Sequence, residues 1–136
     1  MTNTKTLKLH SDGGARGNPG PAGAGAALYD ESGLVVAEIS EYLGHTTNNQ
    51  AEYQALILGL KKAIELGAAS IQCYLDSELI VRQLNGQYKV KHEAMKPLFQ
   101  QVQSLRLQIP ATFHHVRREL NKHADALVNQ AIDRHA

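Results

Sequence analysis

The chain has 136 residues, 43% of them apolar and 20% charged, with a net charge of +1 and one cysteine. That length suits one domain, residues 1–136, with a core that needs no staples; the lone Cys73 excludes an internal disulfide or a cysteine-based zinc site, and no apolar run approaches the roughly 20 residues that span a bilayer. Residues 1–86 carry six Lys/Arg and nine Asp/Glu, net −3, and residues 87–136 carry eight and four, net +4; this fits either a carboxylate cluster facing a basic surface that holds a polyanion, or scattered solvated charge.

Met1 to Thr6 lacks the apolar core of a signal peptide, so a reducing cytosol is the expected location. Leu7 and Leu9 alternate with Lys8 and His10, so a strand is expected from Leu7 to Asp12, ending in that carboxylate. Behind it, Gly13 to Gly20 holds four glycines and a proline and reads as a loop. Ala22 to Tyr29 reads as a second strand, Asp30-Glu31-Ser32-Gly33 as a turn, and Leu34 to Tyr42 as a third strand, together an antiparallel meander. Gly44 to Asn48 reads as a loop. Asn49 to Leu66 is expected to be helical, with Leu56, Leu60, Ala63 and Ile64 at helical spacing, Thr47 and Gln50 as a capping box, and Gly67 closing it; Glu52 falls in its first turn.

Ile71 to Leu75, with Cys73 inside, reads as a buried fourth strand ending at Asp76. A short helix, Ser77 to Leu84, and a polar connection, Gln87 to Glu93, lead to a third helix from Ala94 to Leu107. Ala111 to Val116 is the fifth strand, and Asn121 is expected to cap a last helix reaching about His135, with Asp125 in its first turns. The order β-β-β-α-β-α-α-β-α implies an α/β (mixed α+β) fold, a five-stranded mixed sheet flanked by helices. Its first and fourth strands would lie parallel and adjacent, which puts Asp12 and Asp76 at one sheet edge, where ligands sit in open α/β sheets.

Glu52 and Asp125 could converge on the same edge. Four carboxylates in one cleft repel unless cations sit among them, and hard oxygen donors favour Mg²⁺ or Mn²⁺. Two such ions roughly 4 Å apart can clamp the attacking and leaving oxygens of an in-line phosphoryl displacement.

Asp12-Gly13-Gly14-Ala15 with Gly17-Asn18-Pro19-Gly20, then Thr47-Asn48-Asn49-Gln50-Ala51-Glu52, then Asp76-Ser77, then Ala124-Asp125 resemble, in order, the motifs of the ribonuclease HI (RNase H) family, over about residues 7 to 133. The resemblance implies an RNase H-like fold and an endonuclease that hydrolyses the RNA strand of RNA–DNA hybrids with two Mg²⁺, Mn²⁺ being an alternative, leaving 5′-phosphate and 3′-hydroxyl ends. Carried over by motif, Asp12, Glu52, Asp76 and Asp125 are the metal-binding catalytic carboxylates. Asp12 would bridge both ions, Asp125 would complete the ion that activates water, and Glu52 and Asp76 the ion near the leaving group. Gly13, Gly14, Asn18, Asn48 and Gln50 would approach the RNA strand, where backbone and amide groups can bond 2′-hydroxyls, and Thr47 a DNA-strand phosphate. No protein partner is implied, and a monomer is expected.

Two departures stand out. The basic helix and loop that many members use to grip the hybrid is reduced to about Gln87–Glu93, leaving Lys89, Lys91 and Lys96 as contacts. The glycine-containing, histidine-bearing loop before the last carboxylate is replaced by Val116 to His123, and His114, His115 and His123 do not align with the family's mobile histidine. In that shortened segment Arg118 is the candidate for a catalytic cation beside the phosphate, with pairing to Glu119 as its plain alternative. The competing readings are a hybrid- or duplex-binding domain without turnover and a DNA-directed nuclease of the wider fold.

Overall fold

The computed structural model describes residues 5–135, so most of the stretch read for a signal peptide lies outside the described residues. The elements are β1 (Thr6–Ala15), β2 (Gly20–Tyr29), β3 (Val35–Thr46), α1 (Asn48–Glu65), β4 (Ser70–Leu75), α2 (Glu78–Leu84), α3 (Lys96–Arg106), β5 (Ala111–His115), a 3₁₀ turn (Arg118–Leu120) and α4 (Lys122–His135). One five-stranded sheet runs β3-β2-β1-β4-β5. β1–β2 and β2–β3 are antiparallel, and β1–β4 and β4–β5 are parallel. The mixed sheet inferred from the element order is therefore the one observed.

The alternating apolar positions build the core. Leu7 and Leu9 of β1 point with Ile71, Cys73 and Leu75 of β4 and Phe113 of β5 into a cluster closed by Tyr53, Leu56 and Leu60 of α1 and Val102 of α3. Truncating one such residue costs roughly 2–5 kcal/mol. β2 behaves differently: it is buried at nearly every position because helices cover both of its faces. Its run of alanines and glycines follows from that sandwich. A Cβ on Gly25 would stand 2.2 Å from the Ala124 carbonyl oxygen of α4, so only a glycine lets that helix sit so close.

Several expectations need correction. β1 does not end at Asp12 but continues to Ala15, because Gly13, Gly14 and Ala15 keep pairing with Ala24, Gly23 and Ala22 of β2. Only the parallel ladder stops there, at Ser11 opposite Leu75. β3 likewise runs through the expected loop to Thr46, carrying a register shift opposite Ala22 and Gly23. Asn121 does precede α4, but its side chain turns away from the helix end: Oδ1 meets Nδ1 of His10 at 3.1 Å, and Nδ2 donates to the Ser11 carbonyl at 2.9 Å.

Thr47 and Gln50 form the expected capping box on α1, and Leu66 followed by Gly67 closes it. Because α1 starts at Asn48, Glu52 opens its second turn rather than sitting in the first. Ser77 caps α2, accepting from the Ile80 amide at 3.3 Å.

Candidate active site

Asp12 and Asp76 leave the β1–β4 ladder side by side, one on each strand, as parallel register requires. Glu52 reaches them from α1. The helix can come this close because residue 13 has no side chain: a Cβ there would lie 2.2 Å from the Ala51 carbonyl carbon and oxygen. The Gly13 amide donates to Oε1 of Glu52 at 3.2 Å. Carboxylate oxygens of Asp12, Glu52 and Asp76 all fall within 4.8 Å of one another.

Asp125, in the first turn of α4, lies on the same cleft but stands more exposed than the other three. The cleft has a volume of about 400 Å³ and is also lined by Gly13, Gly14, Arg16, Asn48, Arg118 and Asn129. The acidic cluster thus shares the cleft with two arginines, Arg16 and Arg118.

The electrostatics show what this crowding costs. Burial, then the Asp76 and Asp125 charges, push the Asp12 carboxyl from 3.8 to about 7, although contact with Glu52 pulls it back. Glu52 rises well above 4.5, through burial first and then its contact with Asp12 and the charges of Asp12 and Asp76; the Gly13 amide opposes this. Glu52 Oε2 is buried and receives no hydrogen bond. Beside Asp12 it can be matched only by a shared proton or by a cation. Hard oxygen donors, one of them orphaned and buried, fit a divalent ion of the Mg²⁺ or Mn²⁺ type.

The other sequence candidates divide. Gly14 and Asn48 line the cleft with Gly13, but Asn18, Thr47 and Gln50 do not. Asn18 Oδ1 accepts from the Asn48 amide at 2.9 Å, and Asn48 Oδ1 from the Ala15 amide at 2.8 Å, so these side chains stitch the β1–β2 loop to the start of α1. Gln50 Oε1 accepts from the Thr46 hydroxyl at 2.6 Å and the Thr47 amide at 3.3 Å. Arg118 lines the cleft, Arg117 does not, and no ion pair joins Arg118 to Glu119 among the described residues. Two of the histidines are engaged elsewhere, and His115 is exposed at the end of β5 and does not line the cleft. His114 stacks on Tyr74 and meets the Thr112 hydroxyl, and His123 lies between the Tyr29 hydroxyl and Glu38.

Sequence reasoning missed Arg16 and Asn129. Their signal was present: Asp125, Asn129 and Asp133 stand four residues apart, one row on a helix, and Arg16 is the one cation in the glycine-rich loop.

A sheet with this order, four helices and an acidic cluster at the end of its central parallel pair defines the RNase H-like class. A family model described as reverse transcriptase-like matches residues 10–131. The crystal structure of LC11-RNase H1 in complex with an RNA/DNA hybrid superposes with a TM-score of 0.91 at 44% identity, covering 94% of this chain and 97% of that one. The chain is also 43% identical to the bifunctional protein Rv2228c of Mycobacterium tuberculosis over 127 residues, 92% of this chain and 35% of that protein. With the ribonuclease HI of Halobacterium salinarum it shares 39% identity over 128 residues, 93% of this chain and 64% of that one. It therefore spans about a third of the first of these two relatives and just under two thirds of the second. The chain belongs to the ribonuclease H family.

Proposed function

We propose that this chain is an endonuclease that hydrolyses the RNA strand of RNA–DNA hybrids in a divalent-metal-dependent reaction, leaving 5′-phosphate and 3′-hydroxyl ends. The observation that carries this reading is the buried, unpartnered Glu52 Oε2 within a carboxylate cluster drawn from three elements. The similarity to a protein solved with an RNA/DNA hybrid supports the choice of substrate.

Asp12, Glu52, Asp76 and Asp125 would hold two Mg²⁺, or Mn²⁺ in their place. Bound ions of this kind supply Lewis-acid charge to the attacking and leaving oxygens. The protein's own part is preorganisation. Asp12 and Asp76 are fixed by strand register, and Glu52 by the Gly13 amide. Without cations, burial and the neighbouring carboxylates hold the Asp12 and Glu52 carboxyls above their ordinary range, so cation binding favours their ionised forms and releases protons. Gly13, Gly14 and Asn48 line the cleft where an RNA strand would lie; with the Gly13 amide on Glu52 and the Asn48 amide on Asn18, the side-chain NH2 of Asn48 is a group that can read a 2′-hydroxyl. Asn18, Thr47 and Gln50 act one layer back, fixing the loop and the helix end that carry those groups. Arg118 stands where a guanidinium can grip a phosphate.

The chain is further proposed to work as a monomer in a reducing compartment, where the buried thiol of Cys73 stays free. No helix among the described residues is long and apolar enough to cross a membrane.

Incubating end-labelled RNA–DNA hybrid, duplex DNA and duplex RNA with the protein, in Mg²⁺ and in EDTA, tests the reading. Cleavage of the hybrid's RNA strand alone, and only with metal, is expected. Binding without cleavage would indicate a hybrid-binding domain, and cutting of duplex DNA a DNA-directed nuclease; either result overturns it.

A further inference from the structure

The cleft continues past the acidic cluster along α4, where the row Asp125, Asn129, Asp133 faces the β1–β2 loop. Asn129 Nδ2 donates to the Asp125 carbonyl at 3.2 Å and approaches its Oδ2 at 3.5 Å. On its other side Asn129 Oδ1 accepts from Arg16 Nη2 at 3.4 Å. The same guanidinium is anchored by Asp133, with Nη1 2.7 Å from Oδ1. The contacts form one directed chain from Asp133 through Arg16 and Asn129 to Asp125.

Its direction carries the chemistry. A carboxamide has a donor end and an acceptor end, and the two ends exchange when it flips. A flipped Asn129 would turn its oxygen toward the Asp125 carboxylate, which repels it. Arg16 has only donors, so it fixes the acceptor end toward itself and the donor end toward Asp125. Asp133 in turn holds the planar guanidinium, so one prong is left for the amide.

The need for such a device is visible at the cluster. Asp12, Glu52 and Asp76 are gathered within 4.8 Å of one another, whereas Asp125 is more exposed and projects from a different helix. The first three are placed by register and close packing. The backbone of Asp125 is placed by the close approach of Ala124 to Gly25, but its carboxylate stays exposed, and the contact of that carboxylate within the row is the Asn129 amide.

We infer that Arg16 and Asn129 are positioning residues for Asp125: the Asp133–Arg16–Asn129 chain orients the fourth carboxylate toward the acidic cluster and so sets how tightly the assembled site takes a divalent cation. This rests on the reading that Asp125 belongs to the metal site. It assigns Arg16 a role through another residue rather than on the substrate, even though Arg16 lines the cleft.

The test is metal binding without turnover. Mn²⁺ is titrated into the protein bound to a hybrid whose RNA strand is 2′-O-methylated against cleavage, and free Mn²⁺ is read by electron paramagnetic resonance. Arg16→Ala and Asn129→Ala should each raise the half-saturating Mn²⁺ at least fivefold, with the Kd for the 2′-O-methylated hybrid, read by fluorescence anisotropy in EDTA, within twofold of the parent and melting temperature nearly unchanged. The double variant should bind Mn²⁺ no more weakly than Asn129→Ala alone, because the two act in one chain. An unchanged Mn²⁺ titration for Asn129→Ala would overturn the inference. So would an Arg16→Ala protein that weakens binding of the 2′-O-methylated hybrid severalfold while binding Mn²⁺ normally, since Arg16 would then be a substrate contact. Because no cleavage is read in the titration, failure of the nuclease assignment would show separately, as an inactive parent protein.

Discussion

Replacing Asp12 by asparagine removes a charge from the most crowded point of the cleft, and the effect on stability can be worked from the site. In the unfolded chain the carboxyl ionises near 3.8; in the folded, metal-free protein burial and the neighbouring Asp76 and Asp125 hold its proton until about pH 7. A folded state that binds a proton more tightly than the unfolded one gains stability that is complete below about pH 4 and lost as pH rises through 7. A rise of about three pH units at roughly 1.4 kcal/mol each sets a ceiling near 4 kcal/mol. Glu52 competes for the same proton, so the penalty is spread over the pair and about 2–4 kcal/mol is expected at pH 8. Asp12→Asn escapes it. In EDTA at pH 8 the variant should melt roughly 10 °C above the parent protein, at about 3–4 °C per kcal/mol for a chain of this size. At pH 4 the two should melt together. Mg²⁺ should raise the parent far more than the variant, and the variant should cleave no hybrid. Circular dichroism melts across pH 4 to 8, with and without Mg²⁺, supply the measurement. A variant that melts at or below the parent in EDTA at pH 8, or a gap that does not change with pH, would refute the reasoning.

Mg²⁺ binding near pH 6 should release protons, seen as a dependence of calorimetric enthalpy on buffer ionisation, since burial and the neighbouring carboxylates raise both the Asp12 and the Glu52 carboxyls before the cation arrives. Gly13→Ala should cost at least about 3 kcal/mol in urea denaturation, because its Cβ would meet backbone rather than a movable side chain. Lys89 and Lys91 are exposed and make no ion pair among the described residues, whereas Lys96 is held by Glu93 at 2.8 Å. Removing either of the first two should lower the slope of log affinity against log salt by about 1, read by fluorescence anisotropy in Ca²⁺, and removing Lys96 should do less. Arg118→Ala should lower kcat at least about tenfold, roughly 1.4 kcal/mol of barrier, with little change in melting temperature; unchanged single-turnover rates would leave Arg118 a surface residue.

Much of this was legible because the signals are local. Alternation at Leu7 and Leu9, helical spacing at Leu56 and Leu60, and the Thr47–Gln50 capping box each depend on near neighbours in the chain, and each appears as read. The parallel placement of Asp12 beside Asp76 followed from element order alone. What escaped was non-local. Nothing near Gly13 or Gly14 says that β2 will continue to pair with them, so the strand seemed to end at Asp12. Asn121 has the residue type of a helix cap, and only the arrival of His10 and Ser11 from over a hundred residues away turns its side chain elsewhere. The Arg16–Asn129 contact likewise spans 113 positions.

The motifs that mark the site are packing motifs as much as chemical ones. Asp12 is followed by Gly13, Glu52 is preceded by Ala51, and Asp125 by Ala124; in each pair the small residue lies where two backbones meet. Gly13 lies against Ala51, which brings Glu52 to Asp12. Gly25, the β2 partner of Asp12 in the register, lies against Ala124, which brings Asp125 to the same point from the other face. Asp12 is therefore at the crossing of two close approaches, one helix on either side of the sheet. A single Cβ at Gly13 or Gly25 displaces a backbone by an ångström or more, and the carboxylate next to it moves with that backbone. Divalent cations such as Mg²⁺ tolerate ligand distances of about 2.0–2.1 Å with little latitude, so such a displacement removes the site while every carboxylate remains in the chain. The small residues hold the separations and the acids supply the charge, and the sequence needs both at adjacent positions for the cluster to exist.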